Sequence, residues 1–144
     1  MVEPELAKRY IDEGKVKLVW HDFAWIGEES RLSAQAARCA GRQGKFWEYH
    51  DHLYNNQRGE NGGQFAAPNL RQFAATLGLD TGAFDSCLER GEDVPAIQQE
   101  LTAARSEGIA ATPSFKVNGQ RLVGARGIEA FAQAIDAELA KLGQ

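Results

Sequence analysis

The apolar residues of this chain follow two different spacings, and each change of spacing marks a change of predicted element. Residues 4–13 carry apolar side chains on one helical face, and Gly14 follows them as a helix end. Residues 15–23 alternate instead, with Val16, Leu18 and Trp20 separated by charged or smaller neighbours, which predicts a strand. The chain therefore opens with a helix followed by a strand.

Helical spacing returns after the strand and continues to residue 107. Residues 30–54 predict two helices that are interrupted at Gly41 and Gly44, and residues 55–67 form a polar loop with several glycines. Three shorter helices follow: one at residues 69–77, one that is capped by Asp80 or Thr81 and ends at Gly91, and one at residues 94–107. This block of helices separates the opening helix and strand from the rest of the chain.

The last part of the chain predicts a hairpin and a final helix. Residues 114–117 and 121–123 are short strands, and Asn118-Gly119 between them is a strong signal for a type I′ turn. Residues 127–142 then form an amphipathic helix. The whole order predicts one α/β domain, residues 1–144, of the thioredoxin type, with a helical insertion at residues 29–107 and a terminal unit at residues 108–144.

Composition narrows the classes of function. The chain has 144 residues, 43% of them hydrophobic and 25% charged, with a net charge of −4, which argues against nucleic acid as a partner. No apolar run approaches the roughly 20 residues of a membrane span, and no signal peptide is visible after Met1. Either the protein is cytoplasmic or its natural sequence starts before Met1. We expect no cofactor and no metal site.

Pro113 raises a question, because it stands directly before a predicted strand, and a strand interior excludes proline. One interpretation is a plain turn with a trans peptide bond. In a thioredoxin-type fold, the alternative is a cis-proline loop, in which the backbone beside Thr112-Pro113 is exposed and can pair with an extended peptide.

Several segments of the chain, taken in order, resemble the DsbA-like family of thiol–disulfide oxidoreductases. The resemblance rests on the following segments: Glu3-Pro4-Glu5-Leu6, residues 10–16, Asp22-Phe23, residues 36–40, residues 44–51, residues 77–80, residues 108–113 and Val117-Asn118-Gly119. It implies a thioredoxin-like fold and a protein thiol–disulfide oxidoreductase that acts on extended or unfolded proteins, with Thr112 and Pro113 aligning the peptide.

The family's reactive Cys-x-x-Cys lies at the start of its first helix, ahead of the position of Glu3, and no such motif occurs in this sequence. We therefore expect a chain without a catalytic residue, inactive as it stands and lacking the first strand and the start of the first helix. By the resemblance that strand is central, so its loss would leave a gap of about 10 Å between residues 16–23 and 114–117. The flanking strands would close up, a homodimer or strand swap would fill the gap, or the natural protein is longer.

Two other functions remain open. One is a redox-inactive thioredoxin-like module that uses the Pro113 loop to hold peptides or act as a scaffold. The other is a glutathione-dependent isomerase or transferase of the same superfamily, which would also need residues before Met1.

Cys39 and Cys87 are the only cysteines, 48 positions apart. By the resemblance they form a structural disulfide, which would indicate an oxidising, extracytoplasmic compartment. The alternative is two buried thiols that act as small apolar side chains. Neither residue opens a predicted helix, which argues against a catalytic pair.

Other polar and aromatic residues have structural explanations. His50 and His52, with Glu48, are interpreted as a half-buried and a solvated histidine rather than a metal site. Asp22 is either a buried carboxylate that tunes a thiol or a surface charge at a strand end. The large aromatic residues near these positions are predicted to lie in the core: Trp20, Trp25, Phe46 and Trp47.

Overall fold

The computed structural model describes residues 3–143. Its contacts divide into two compact units: Asp22–Ser106, and the residues up to His21 together with those from Glu107 onward. The division falls close to the predicted insertion boundaries, and the assignment to a single domain stays a prediction. The helices and strands are α1 Glu3–Leu6, continued by a π-helical segment Ala7–Ile11, α2 Glu28–Gly41, α3 Phe46–Asn55, α4 Ala67–Thr76, α5 Thr81–Arg90, α6 Val94–Ser106, β1 Ser114–Val117, β2 Gln120–Val123 and α7 Ile128–Lys141.

The unit Asp22–Ser106 is helical and is built around α2. Small side chains on one face of α2 are fully buried, which lets α3 and α5 approach its backbone closely. Tyr49 and Phe84, from α3 and α5, fill the centre of this core with ring centroids 5.5 Å apart. Asp80 caps α5 by accepting a hydrogen bond from the Ala83 N–H at 2.9 Å.

The second unit packs α7 against the hairpin and the opening helical segment. β1 and β2 pair antiparallel, with Phe115 opposite Leu122 and Lys116 opposite Arg121. The Phe115 ring meets Phe131 of α7 edge-on at 4.8 Å, while Lys116 and Arg121 are exposed. Because side chains alternate along a strand, one face of the hairpin packs on α7 and the other, here called the charged face, carries Lys116 and Arg121.

The hairpin turn follows the predicted chemistry. Asn118 and Gly119 have φ values of 45° and 93°, so both central positions use the left-handed region that a type I′ turn requires. The turn therefore sets the register that places Lys116 opposite Arg121.

The predicted strand at residues 15–23 is wrong, because this segment belongs to no helix or strand. Val16 and Leu18 are half-buried between exposed neighbours, and Val16 packs on the α7 core. The alternating pattern therefore reflects which side chains are buried, and it does not indicate a strand. Strand structure needs a ladder of hydrogen bonds to a neighbour, which a pattern alone cannot supply. Among residues 3–143 the sheet contains only β1 and β2, so the expected closing of two flanking strands does not occur there.

The prediction that the tryptophans lie in the core is also wrong. Trp20, Trp25 and Trp47 are 36%, 47% and 40% exposed, although Phe46 packs partly buried against the helical core. Size and apolarity do not by themselves decide burial, since Trp is rarely fully buried. Of the helices in the described range, none combines the length and apolar character needed to cross a bilayer.

Candidate functional site

Thr112 and Pro113 lie in an exposed segment directly before β1. The peptide bond between them is cis. The segment is attached to the hairpin on both sides: Ser114 Oγ donates to the Ala111 carbonyl at 2.7 Å, and the Gly124 N–H donates to the Pro113 carbonyl at 2.9 Å. Thr112 is exposed, and within residues 3–143 its N–H and C=O make no hydrogen bond.

A second set of contacts holds the beginning of this segment, and the sequence analysis missed it. The Arg121 guanidinium donates to the carbonyl oxygens of Glu107 and Gly108, the latter at 3.3 Å, and Lys116 pairs with the Glu107 carboxylate. Part of this arrangement could have been predicted, because the Asn118-Gly119 turn places Lys116 opposite Arg121 on the same face of the hairpin.

Cys39 and Cys87 are joined by a disulfide between α2 and α5, with their Cα atoms 5.8 Å apart. The two residues are only 1% and 5% exposed, inside the helical core. Gln35, itself buried, donates from Nε2 to the Cys87 carbonyl at 3.3 Å and towards Cys39 Sγ at 3.4 Å. This arrangement shields both sulfurs from solvent, which does not suit a dithiol that exchanges with substrates.

The sequence-predicted site residues therefore fall into two groups. Thr112 and Pro113 belong to the hairpin unit, whereas Cys39 and Cys87 belong to the helical unit. The printed sequence contains no Cys-x-x-Cys, so neither group includes a reactive dithiol.

Asp22 is a buried carboxylate, 6% exposed, and it forms an ion pair at the start of the helical unit. Arg38 Nε donates to Asp22 Oδ2 at 2.7 Å, and Arg38 Nη2 donates to Glu100 Oε1 at 3.0 Å. Glu100 Oε2 also accepts the Asp22 N–H at 2.6 Å. Burial works to lower the pKa of Arg38, but the Asp22 and Glu100 carboxylates outweigh it and raise that pKa.

The side chains around His50 contribute to packing. His50 is 3% exposed and its Nδ1 lies 3.0 Å from Asp51 Oδ1, while the His52 ring contacts Phe73 at 4.7 Å. His50 is therefore more buried than predicted, and His52 is packed rather than solvated. Among the described residues, no group of three or more His, Cys, Asp or Glu side chains converges as a metal site requires.

Tyr49 is the most enclosed ionisable group of α3. It is fully buried and its hydroxyl donates to the Leu70 carbonyl at 2.8 Å. Burial raises the pKa of Tyr49 well above its ordinary value, because the phenolate would be charged in an apolar core. Tyr49 therefore stays neutral and serves the packing of α3 on α4.

Comparison with known proteins shows which proteins this chain resembles. A family model described as Thioredoxin matches residues 1–137. The chain is 31% identical over 135 residues to a Na(+)/H(+) antiporter NhaA 3 of Salinispora tropica, covering 92% of this chain and 20% of that protein. It is 28% identical over 144 residues to a probable disulfide bond formation protein D of Bacillus cereus, covering 97% of this chain and 66% of that protein.

A solved structure shows the same fold. BdbD from Bacillus subtilis, in its oxidised form, superposes with a TM-score of 0.85 at 21% identity, over 95% of this chain and 76% of that one. The fold is thus thioredoxin-like, with several helices and a small two-stranded sheet in the described residues. The chain belongs to the thioredoxin family, and its similarity to a disulfide bond formation protein makes it a DsbA-like member.

Proposed function

We propose that this chain is the polypeptide-docking part of a protein thiol–disulfide oxidoreductase of the DsbA type. The Thr112–Pro113 segment holds an extended or unfolded protein substrate, and a Cys-x-x-Cys thiolate would carry out the exchange. Since the 144 residues contain no such motif, we expect no exchange activity from this chain by itself.

One observation carries the proposal: Thr112 is exposed, and its backbone makes no hydrogen bond within the described residues. A free N–H and C=O in an anchored segment can pair with the main chain of an extended peptide. Such pairing is independent of most side chains of the peptide, which suits an enzyme that acts on many unfolded proteins.

The Cys39–Cys87 disulfide has a structural role in this proposal. It is buried in the helical core and joins two helices that are distant in sequence. A disulfide of this kind persists in oxidising compartments, so we place the protein outside the cytoplasm.

The test measures binding of a fluorescent extended peptide without cysteine, by anisotropy, to the 144-residue chain. A matched peptide with N-methylated backbone positions keeps the side chains but loses its N–H donors. We expect the unmethylated peptide to bind. The N-methylated peptide should bind at least roughly tenfold more weakly, because it lacks the N–H donors that would pair with the Thr112 segment. A tenfold loss of affinity corresponds to about 1.4 kcal/mol of binding free energy. Equal affinities for the two peptides, or no binding, would contradict the docking role.

A second function is favoured by the cysteines themselves, which are bonded to each other and almost completely buried. The chain would then be a redox-inactive thioredoxin-like module that binds peptides through the same segment. Intact mass of the protein from its native source, with and without reduction and alkylation, separates the two. Four alkylated sulfurs and a mass above 15.8 kDa indicate the oxidoreductase, and two sulfurs at 15.8 kDa indicate the module.

A further inference from the structure

The charged face of the hairpin has no role in the apolar core, yet two of its side chains reach the same short segment. Arg121 of β2 and Lys116 of β1 are cross-strand partners, and both contact Glu107 or Gly108. We propose that Arg121 is a positioning residue for peptide docking, which it serves by fixing the start of residues 107–113. The inference rests on the proposed function and adds to it a residue that touches no substrate.

The geometry shows how Arg121 would act. Its Nη1 donates to the Gly108 carbonyl at 3.3 Å and its Nη2 donates to the Glu107 carbonyl. The planar guanidinium presents its donors in a rigid fork, so two contacts to successive carbonyls fix both position and orientation of the backbone. A lysine at this position has a single ammonium group and cannot reproduce that fork.

The opposite end of the segment is fixed separately. Gly124 donates to the Pro113 carbonyl at 2.9 Å, and Ser114 Oγ donates to the Ala111 carbonyl at 2.7 Å. Thr112 therefore lies between two anchored ends and makes no hydrogen bond of its own within residues 3–143. An anchored backbone pays less ordering entropy when a peptide binds, and this gain in preorganisation appears as affinity.

The chain provides a matched control in the segment that follows the same strand. Arg126 is exposed and its Nε donates to the Val123 carbonyl at 3.1 Å, so it too pairs a guanidinium with a backbone oxygen. Its contact lies outside residues 107–113. Arg126→Ala therefore removes the same kind of interaction, while both Arg121 contacts and the hydrogen bond from the Gly124 N–H to the Pro113 carbonyl keep their partners.

The experiment compares wild type, Arg121→Ala, Arg121→Lys and Arg126→Ala by two measurements. The first is affinity for the fluorescent cysteine-free peptide. The second is amide hydrogen exchange of residues 109–112, with the amides of the β1–β2 ladder as an internal reference. A cooperative thermal unfolding transition shows that each variant is folded. If Arg121→Ala does not fold, Arg121→Lys replaces it, because this variant keeps the positive charge and loses only the forked pair of donors.

We expect Arg121→Ala to bind roughly tenfold more weakly and to exchange faster at residues 109–112, with the ladder unchanged, as lost preorganisation predicts. Arg121→Lys should fall between, and Arg126→Ala should match wild type. Unchanged exchange and affinity in Arg121→Ala, or an equal loss in Arg126→Ala, would overturn the inference. If wild type binds no peptide, the docking function fails, and the exchange data alone decide whether Arg121 positions the segment.

Discussion

Asp22 and Arg38 form an ion pair of 2.7 Å in which the carboxylate is almost fully buried and the guanidinium is about a quarter exposed. Arg38 also binds Glu100 of α6, so one arginine of α2 joins the segment that precedes α2 to the last helix of its unit. We therefore infer that the Asp22 carboxylate stabilises the packing of the helical unit.

Replacing Arg38 should destabilise the protein strongly. Arg38→Met leaves the buried Asp22 carboxylate without this cation, and breaking a buried pair in this way costs about 3 kcal/mol. Urea unfolding followed by circular dichroism measures the change in the free energy of unfolding. The control is Arg42→Ala, since Arg42 is exposed and pairs with Glu92 and Asp93 at the surface, where water and salt screen the ion pairs and their loss should change stability little. Similar losses for both variants would contradict the assigned role.

The raised pKa of Tyr49 predicts how the stability of the protein changes at alkaline pH. Its pKa is raised in the folded state, so folding favours the neutral phenol. The resulting stability is fully present below the unfolded pKa of about 10 and is lost as pH rises through the folded value. We therefore expect the free energy of unfolding to fall above about pH 10 as the unfolded phenol ionises.

Tyr49→Phe should show a shallower alkaline decline, although at neutral pH it costs about 1 kcal/mol because the Leu70 carbonyl loses its donor. Absorbance of phenolate during a pH titration, compared with unfolding at the same pH values, measures both effects. A Tyr49→Phe variant with the wild-type alkaline slope would show that other groups control it.

The disulfide should stabilise the fold without taking part in turnover. The chain-entropy model assigns about 4 kcal/mol to a crosslink that closes a loop of this length. We expect Cys39→Ala/Cys87→Ala to lose roughly that amount, within the usual range of about 2–5 kcal/mol, in urea unfolding.

The same double variant addresses the chemistry. In an insulin-reduction assay, wild type and Cys39→Ala/Cys87→Ala should both match the background rate of the reductant. Turnover by wild type that the double variant lacks would instead assign redox activity to these two cysteines.

Gly27, directly before α2, should not tolerate a side chain. Its φ is +154°, and a Cβ there would lie 2.6 Å from the Asn61 side chain, which donates to the Ile26 carbonyl at 2.9 Å. Gly27→Ala should therefore lower the free energy of unfolding by more than about 1 kcal/mol. Gly127→Ala is the matched control, because φ is −69° there and a Cβ meets open space. Equal melting temperatures for the two variants would be inconsistent with this account.

Much of the architecture could be predicted from local patterns. The helical spacing located every helix to within a few residues, because each helix has one apolar face and most end at a glycine. The Asn118-Gly119 turn predicted the hairpin, because those residues tolerate the positive φ of a type I′ turn. The pairing of Cys39 with Cys87 came from family resemblance, since spacing alone left two free thiols as an alternative.

Other features depended on neighbours that a local pattern does not contain. Residues 15–23 have the alternation of a strand, but strand structure requires hydrogen bonds to an adjacent chain segment. Trp25 and Trp47 have the size of core residues, yet their burial is decided by the space left between packed helices.

The sequence by itself determined the helices, the hairpin and its register, and the absence of a Cys-x-x-Cys from these 144 residues. These features depend on residue identity and on interactions within a few positions, where turn chemistry and periodicity act. Only the tertiary structure decided that Arg38 binds both Asp22 and Glu100, and that Arg121 fixes the segment before Pro113. Both arginines reach partners more than ten positions away, and the folded backbone alone brings those groups within hydrogen-bonding distance.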